Sequence, residues 1–208
     1  METEDPKSKK FELIIALVLA FFAAASAING LYADKFGEDE MIAHNRYNQQ
    51  YSWFQSKSIK QILAENQRDM LVGLLKAGLV KAENTQSLDS TIAHLNQEIA
   101  RYKKEKREIM LGSSKVGKEN WVQDIDGELG KVIGAEEYEE ITEKLGIAGD
   151  DFDTGSLLLN LCLVFGAIAI ILQAHLQRVV FFWMMVVSGS FGCYFTFIAW
   201  LKCVAVVG

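Results

Sequence analysis

Apolar residues collect in three long blocks, Phe11–Gly30 (FELIIALVLAFFAAASAING), Ser156–Leu176 and Val179–Leu201. A helix needs about 20 apolar residues to cross a bilayer core, so each block predicts a transmembrane helix. Leu31 to Thr154 contains no such block and reads as an extramembrane domain. Within it the pattern turns helical. Leu88, Ile92, Leu95, Ile99, Tyr102, Lys106 and Ile109 step by four and three in alternation, the stripe of a coiled-coil strand. Upstream, Tyr47, Tyr51 and Phe54 and then Ile59, Leu63, Met70 and Leu74 mark a longer helix, from about Glu38 to Lys81, whose stripe is crossed by the polar run AENQRD, Ala64 to Asp69. The short turn Glu83–Ser87 folds the two into an antiparallel hairpin. At about 1.5 Å per residue the first helix would reach roughly 60 Å and the second about two thirds of that.

The remainder of the middle region is less regular. GSSKVGKEN, Gly112 to Asn120, reads as a loop, and AEEYEEITEKLG from Ala135 as a short helix with Tyr138, Ile141 and Leu145 on one side. GIAGDDFDTG then leads into the second span, with Asp153 or Thr154 as its N-cap. The fold class is an all-α membrane protein with three transmembrane helices and a long extramembrane helical hairpin or coiled coil between spans one and two. Its parts are an N-terminal flank (1–10), span one (11–30), the coiled-coil domain (31–154), span two (156–176), span three (179–201) and a short tail (202–208).

Charge sets an orientation. The middle domain holds 16 of the 21 Lys and Arg and 23 of the 27 Asp and Glu, a net charge of −7. An acidic balance argues against nucleic acid, whose phosphates require a basic surface. Basic residues in short flanks mark the cytoplasmic side. Lys7, Lys9 and Lys10 precede span one and Arg178 lies in the turn between spans two and three, whereas Asp34, Glu38–Glu40 and Asp150, Asp151 and Asp153 lie at the opposite ends. The N-terminus is thus expected in the cytoplasm and the middle domain on the opposite side of the membrane. Lys202 is a contrary charge that snorkelling accommodates. The first block also fits a signal peptide, with Ala25-Ser26-Ala27 as the cleavage site, but its length favours an uncleaved anchor.

Two sets of residues are candidates for contact with another molecule. The segment NRYNQQYSWFQSKSIKQ, Asn45 to Gln61, concentrates Tyr47, Tyr51, Trp53 and Phe54 among amides and lysines. With Leu88, Ile92, Leu95, Ile99 and Tyr102 it forms either the core of one hairpin or an interface between subunits, since aromatics are enriched in interface cores. In the spans, Ala16, Ala20, Ala23 and Ala27, with Ala24, give span one a small-residue face. Ser188, Gly192 and Thr196 recur every four residues on span three, and both patterns suit close helix contact.

Chemistry at a site is hard to find. The three histidines, His44, His94 and His175, lack partners at ligand spacing, and the strings of hydrolases, metalloproteases and nucleotide-binding loops are absent. QDIDGE lacks the ligand ladder of a calcium loop. Cys162, Cys193 and Cys203 all lie at the spans and read as small buried residues. No catalytic residue, metal or cofactor is expected, and the chain reads as a non-enzyme. The expected partners are the lipid bilayer and further copies of the chain, with an unidentified membrane or periplasmic protein beside them. The expected function is a homo-oligomeric scaffold or accessory subunit; the alternative is an oligomeric channel or sensor with an external stalk.

The stretch YNQQYSWFQSKSIKQILAENQRDML, with IARYKKEKREI downstream and one span before and two after, resembles a bacterial membrane protein family, the domain of unknown function 4337 family. The resemblance implies this architecture along nearly all of the chain and implies no activity. The acidic, glycine-bearing stretch Gly112 to Gly149 departs from the longer Lys/Glu helix of that family.

Overall fold

No proline follows Pro6, and the helices run through most of the glycines. The computed structural model describes residues 6–81 and 84–207; the first five residues of the N-terminal flank, Glu83 of the expected turn and Gly208 of the tail lie outside the described residues. Its elements are α1 (Pro6–Lys76), α2 (Thr85–Leu111), α3 (Ser113–Val116), a 3-10 turn (Lys118–Asn120), strands β1 (Asp124–Ile125) and β2 (Glu128–Leu129), α4 (Ala135–Ile171) and α5 (His175–Val207). The chain is all-α apart from that two-stranded hairpin. The regions α1, α4 and α5 each contain a stretch long and apolar enough to cross a membrane.

Two expected breaks are absent. Span one and the first helix of the middle domain form the single helix α1, which passes through Gly30 and Gly37. The short helix at Ala135 and span two likewise form the single helix α4, so Asp153 and Thr154 cap nothing; the Thr154 hydroxyl donates back to the Asp150 carbonyl at 2.9 Å inside the helix. A glycine in a helix costs about 1 kcal/mol against alanine, which neighbouring turns and packing offset. At Gly155 a Cβ would lie 3.0 Å from the Thr196 hydroxyl, so the small residue admits a close neighbour. Helix α1 ends at Lys76, earlier than Lys81, where Gly78 takes a φ of 67°. The Leu79 amide donates to the Leu74 carbonyl and the Gly78 amide to that of Leu75, a Schellman cap.

The chain divides into two compact units, one of residues up to Met41 with those from Ile141 onward, the other Ile42–Glu140. Residues 31–41 and 141–154 thus pack with the apolar helices in the first unit. The first unit has two core clusters. Ile15, Phe22, Leu159, Cys162, Ala169 and Met185 fill one, and Phe36, Leu145, Ala148, Phe152, Ala199 and Cys203 the other.

In the second unit α1 and α2 pack antiparallel. Ala64 is buried against Leu95 and Ile99, with Leu71 beside them. The Lys57 ammonium meets the Glu105 carboxylate at 2.6 Å, and Lys106 Nζ donates to Gln61 Oε1 at 3.2 Å. Beyond α2, Asp126 (φ 54°) and Gly127 (φ 83°) form the two-residue turn of the β-hairpin, with Asp124 paired to Leu129 and Ile125 to Glu128. Both central residues need positive φ in such a turn, which Asp-Gly supplies. Gly134 precedes α4 as its N-cap, and its amide donates to Glu137 Oε2 at 3.0 Å, half of a capping box.

Candidate functional site

On α2 the stripe residues turn toward α1: Leu95 and Ile99 are buried, and Leu88, Ile92 and Tyr102 are half-buried. The partner face on α1 is Phe54, Lys57, Gln61, Ala64 and Leu71, in steps of three, four, three and seven. It differs from the expected stripe Ile59, Leu63, Met70, because Ala64 supplies the small buried contact that AENQRD was expected to deny. Ile59, Leu63 and Met70 are exposed, at 67%, 58% and 67%.

The aromatic segment forms a ladder along one helix. Tyr47, Tyr51 and Phe54 stack in series with ring centroids 6.1 Å apart. Phe54 is covered by the Lys106 ammonium, 5.0 Å from its centroid, and Trp53 lies 5.9 Å from Lys57. Tyr47, Trp53 and Phe54 are half-buried and Tyr51 is exposed. The four thus share a run of helix and not a single pocket.

In the first unit the two small-residue sets part company. Ala16, Ala20, Ala23 and Ala27, with Ala24, are all exposed, because Ile15, Phe22 and Asn29 hold the inward face of α1. Ser188, Gly192 and Thr196 lie between helices. The Ser188 hydroxyl donates to the Leu158 carbonyl at 2.7 Å, and Gly192 sits against Leu159. Thr196 Oγ1 donates to Asn29 Oδ1 at 2.6 Å and is 2.9 Å from the Gly192 carbonyl. The Asn29 amide in turn donates to Ser156 Oγ at 2.6 Å and to the Phe152 carbonyl at 3.3 Å. An amide inside apolar surroundings is costly unless paired, and here its donors and its acceptor are met by α4 and α5. This cluster pins the three helices at one level.

Both ends of the same unit carry an ion pair. Arg178, buried at the start of α5, reaches Glu12 of α1 at 2.8 Å and donates through Nε and Nη2 to the Leu172 carbonyl. The N-terminal part of α1 and the turn between α4 and α5 therefore lie at one end. Lys202 pairs with Asp151 at the other end. Its contrary charge is thus matched by an acidic neighbour.

A buried acid that the sequence reading passed over organises the second unit. Glu108 is fully buried at the end of α2. Its Oε1 accepts from the Ser113 hydroxyl at 2.7 Å, and its Oε2 from the amides of Val122 and Gln123, each at 2.9 Å. Ser113 also bonds the backbone of Val132 in both directions, and Trp121 Nε1 donates to the Ser113 carbonyl at 2.8 Å. The Glu108 carboxylate thus bonds the 112–134 segment to α2 at Ser113, Val122 and Gln123, and Lys104 adds a bond to the Glu119 carbonyl at 3.4 Å. At Gly134 the backbone passes so close to Gly112 that a Cβ would lie 2.2 Å from the Gly112 nitrogen.

Among the described residues no group of three or more His, Cys, Asp or Glu is placed to hold a metal ion. In QDIDGE, Asp124 Oδ1 accepts from the Gly127 amide at 2.6 Å, so this carboxylate serves its own turn. The first unit carries open, mostly apolar grooves, one of about 680 Å³ between α4 and α5, lined by residues such as Leu158, Phe165, Trp183 and Ser188, and one of about 340 Å³ between α1 and α5, lined by residues such as Ile28, Tyr32, Thr196 and Trp200. On the second unit a shallow polar concavity of about 480 Å³ lies along α1, lined by Asn45, Asn48, Gln49 and Ser52.

These features define an all-α protein with three membrane-length apolar helices and a separate helical unit between the first and the second. A family model described as Domain of unknown function (DUF4337) matches residues 11–202. The chain belongs to that family. No curated protein and no solved structure matches it.

Proposed function

We propose that this protein is a non-catalytic integral membrane scaffold or accessory subunit that assembles as a homo-oligomer. Its apolar helices lie in a bacterial inner membrane and its second unit lies on the periplasmic or outer side. The membrane reading is supported by exposure. Within the three apolar stretches only 11%, 28% and 22% of residues are buried inside the chain, and outward side chains include Leu17, Phe21, Val187 and Phe191. Water tolerates contiguous apolar surface of that kind poorly, whereas lipid covers it.

The observation that carries the assembly is the exposed alanine face of α1. Small residues facing lipid give up contact area; facing a second helix they allow close backbone approach. Changing Ala20 and Ala23 together to leucine tests it. On a lipid-facing surface the pair is harmless, so the particle mass in detergent should stay as in the wild type; at a helix interface it should fall. The account expects the fall. The channel alternative draws less support, since the polar side chains Asn29, Ser156 and Thr196 bond one another inside the chain and the grooves of the first unit are mostly apolar.

The orientation rests on basic residues at the end shared by the N-terminal flank and Arg178. With Cys162, Cys193 and Cys203 replaced, a cysteine at Ser114 should react with an impermeant maleimide on whole cells. Labelling only after lysis would reverse the orientation.

A further inference from the structure

Helix α1 has two apolar faces in the second unit, and α2 occupies only one. On the other, Ile59, Leu63, Asn66 and Met70 follow one another at steps of four, three and four, all exposed, with Ile62 at 55% beside them. That spacing is a coiled-coil seam with a single amide in it. We propose that a second copy of this chain covers this seam, α1 against α1, in parallel and in register, with each Asn66 facing its own counterpart.

Three observations select that occupant. A carboxamide is both donor and acceptor, so Asn66, at a d position of the seam, pairs with an identical residue, while an aliphatic cover would leave it unmet and a shifted register would set it against leucine or methionine. Copies inserted in one membrane with one topology enter this unit from the same side, so their α1 helices run in the same direction, and a parallel register sets each residue opposite itself. In that register the flanking cross-strand neighbours are Gln55 with Lys60, Ile62 with Gln67 and Asp69 with Leu74, so no like charges meet.

Two heptads make a weak interface in isolation. Held in one bilayer, the copies meet at a raised effective concentration, which lets a short seam close. The inference rests on the reading of the chain as a membrane-inserted homo-oligomer and names the surface and register of its contact outside the membrane. This seam lies on the far side of α1 from Phe54, which packs under Lys106 of α2.

Cysteine cross-linking in native membranes tests it, in full-length protein whose three native cysteines are replaced. Oxidation of Leu63→Cys and of Asn66→Cys should each give a product of doubled mass, whereas Asn96→Cys, exposed on α2, should give none. Adding Met70→Lys to Leu63→Cys should abolish the product while the chain stays membrane-bound. If the particle is multimeric by mass but neither seam cysteine cross-links, the seam is overturned and the assembly stands. If the particle is a monomer, both fall. Cross-linking of Leu63→Cys to a chain of different mass would overturn the self-pairing.

Discussion

Replacing Gly192 by leucine should unlock the three apolar helices. A Cβ at this position would already lie 2.7 Å from Leu159 Cγ and 3.1 Å from the Leu159 nitrogen, so the added side chain has to push α4 and α5 apart at backbone level. Overpacking of a well-filled contact costs about 1–3 kcal/mol, and the upper end applies where backbone must move. The separation also stretches the neighbouring Thr196 to Asn29 bond, which depends on the same approach. The melting temperature of the purified protein should fall by on the order of 10 °C. Ser190→Leu, on the exposed side of α5, should leave it unchanged. Equal melting of the Gly192→Leu protein and the wild type would mean that α4 and α5 do not meet here.

The second large effect is expected in the other unit, from Glu108→Ala. Three donors, the Ser113 hydroxyl and the amides of Val122 and Gln123, lose their acceptor in a site closed to water. Each unsatisfied buried group costs about 1–3 kcal/mol, and the truncated side chain leaves a cavity besides. With partial relaxation the total should be about 4 kcal/mol. The visible sign should be rapid proteolysis of the 112–134 segment, because that carboxylate bonds it to α2 at three points. Glu108→Gln keeps one oxygen acceptor and should lose less. If the alanine variant resists protease as well as the wild type, the segment is held by Trp121 and the Gly112–Gly134 contact instead.

Such residues also explain what could be read along the chain and what could not. The stripe Leu88 to Tyr102 was legible because one face of α2 repeats every three and four residues and that face alone is inward. Helix α1 was harder, since it carries two apolar faces. Periodicity finds both Ile59–Leu63–Met70 and the set around Ala64, but it does not say which one meets α2, and the bulkier set was the wrong choice. The small residue wins because the ion pair of Lys57 with Glu105 and the bond of Lys106 to Gln61 hold the helices on that side.

Helices α1 and α4 run on through Gly30, Gly37, Gly146, Gly149 and Gly155, positions at which glycine reads as punctuation in the sequence. At Gly155 it serves close approach. The Asp-Gly turn carried a hairpin signal, but only two residues pair on each side, too few for the alternation that marks a strand. Asn29 and Glu108 were missed for a common reason. A polar residue in an apolar block, or an acid in a run such as EKRE, is assigned to solvent or to a helix end by composition. Its burial depends on hydrogen-bond partners that arrive from more than 100 residues away in the case of Asn29, and on donors from the following loop in the case of Glu108. The exposed alanines of α1 illustrate the converse: their spacing was plain, but the side they face follows only from the placement of Ile15, Phe22 and Asn29.

The most direct test of the account is the mass of the wild-type particle released from membranes into a lipid nanodisc or mild detergent, with the bound amphiphile subtracted. The account predicts a small integral multiple of the 23.3 kDa chain, lowered by the Ala20→Leu, Ala23→Leu pair. A mass of one chain across the accessible range of concentrations would contradict it.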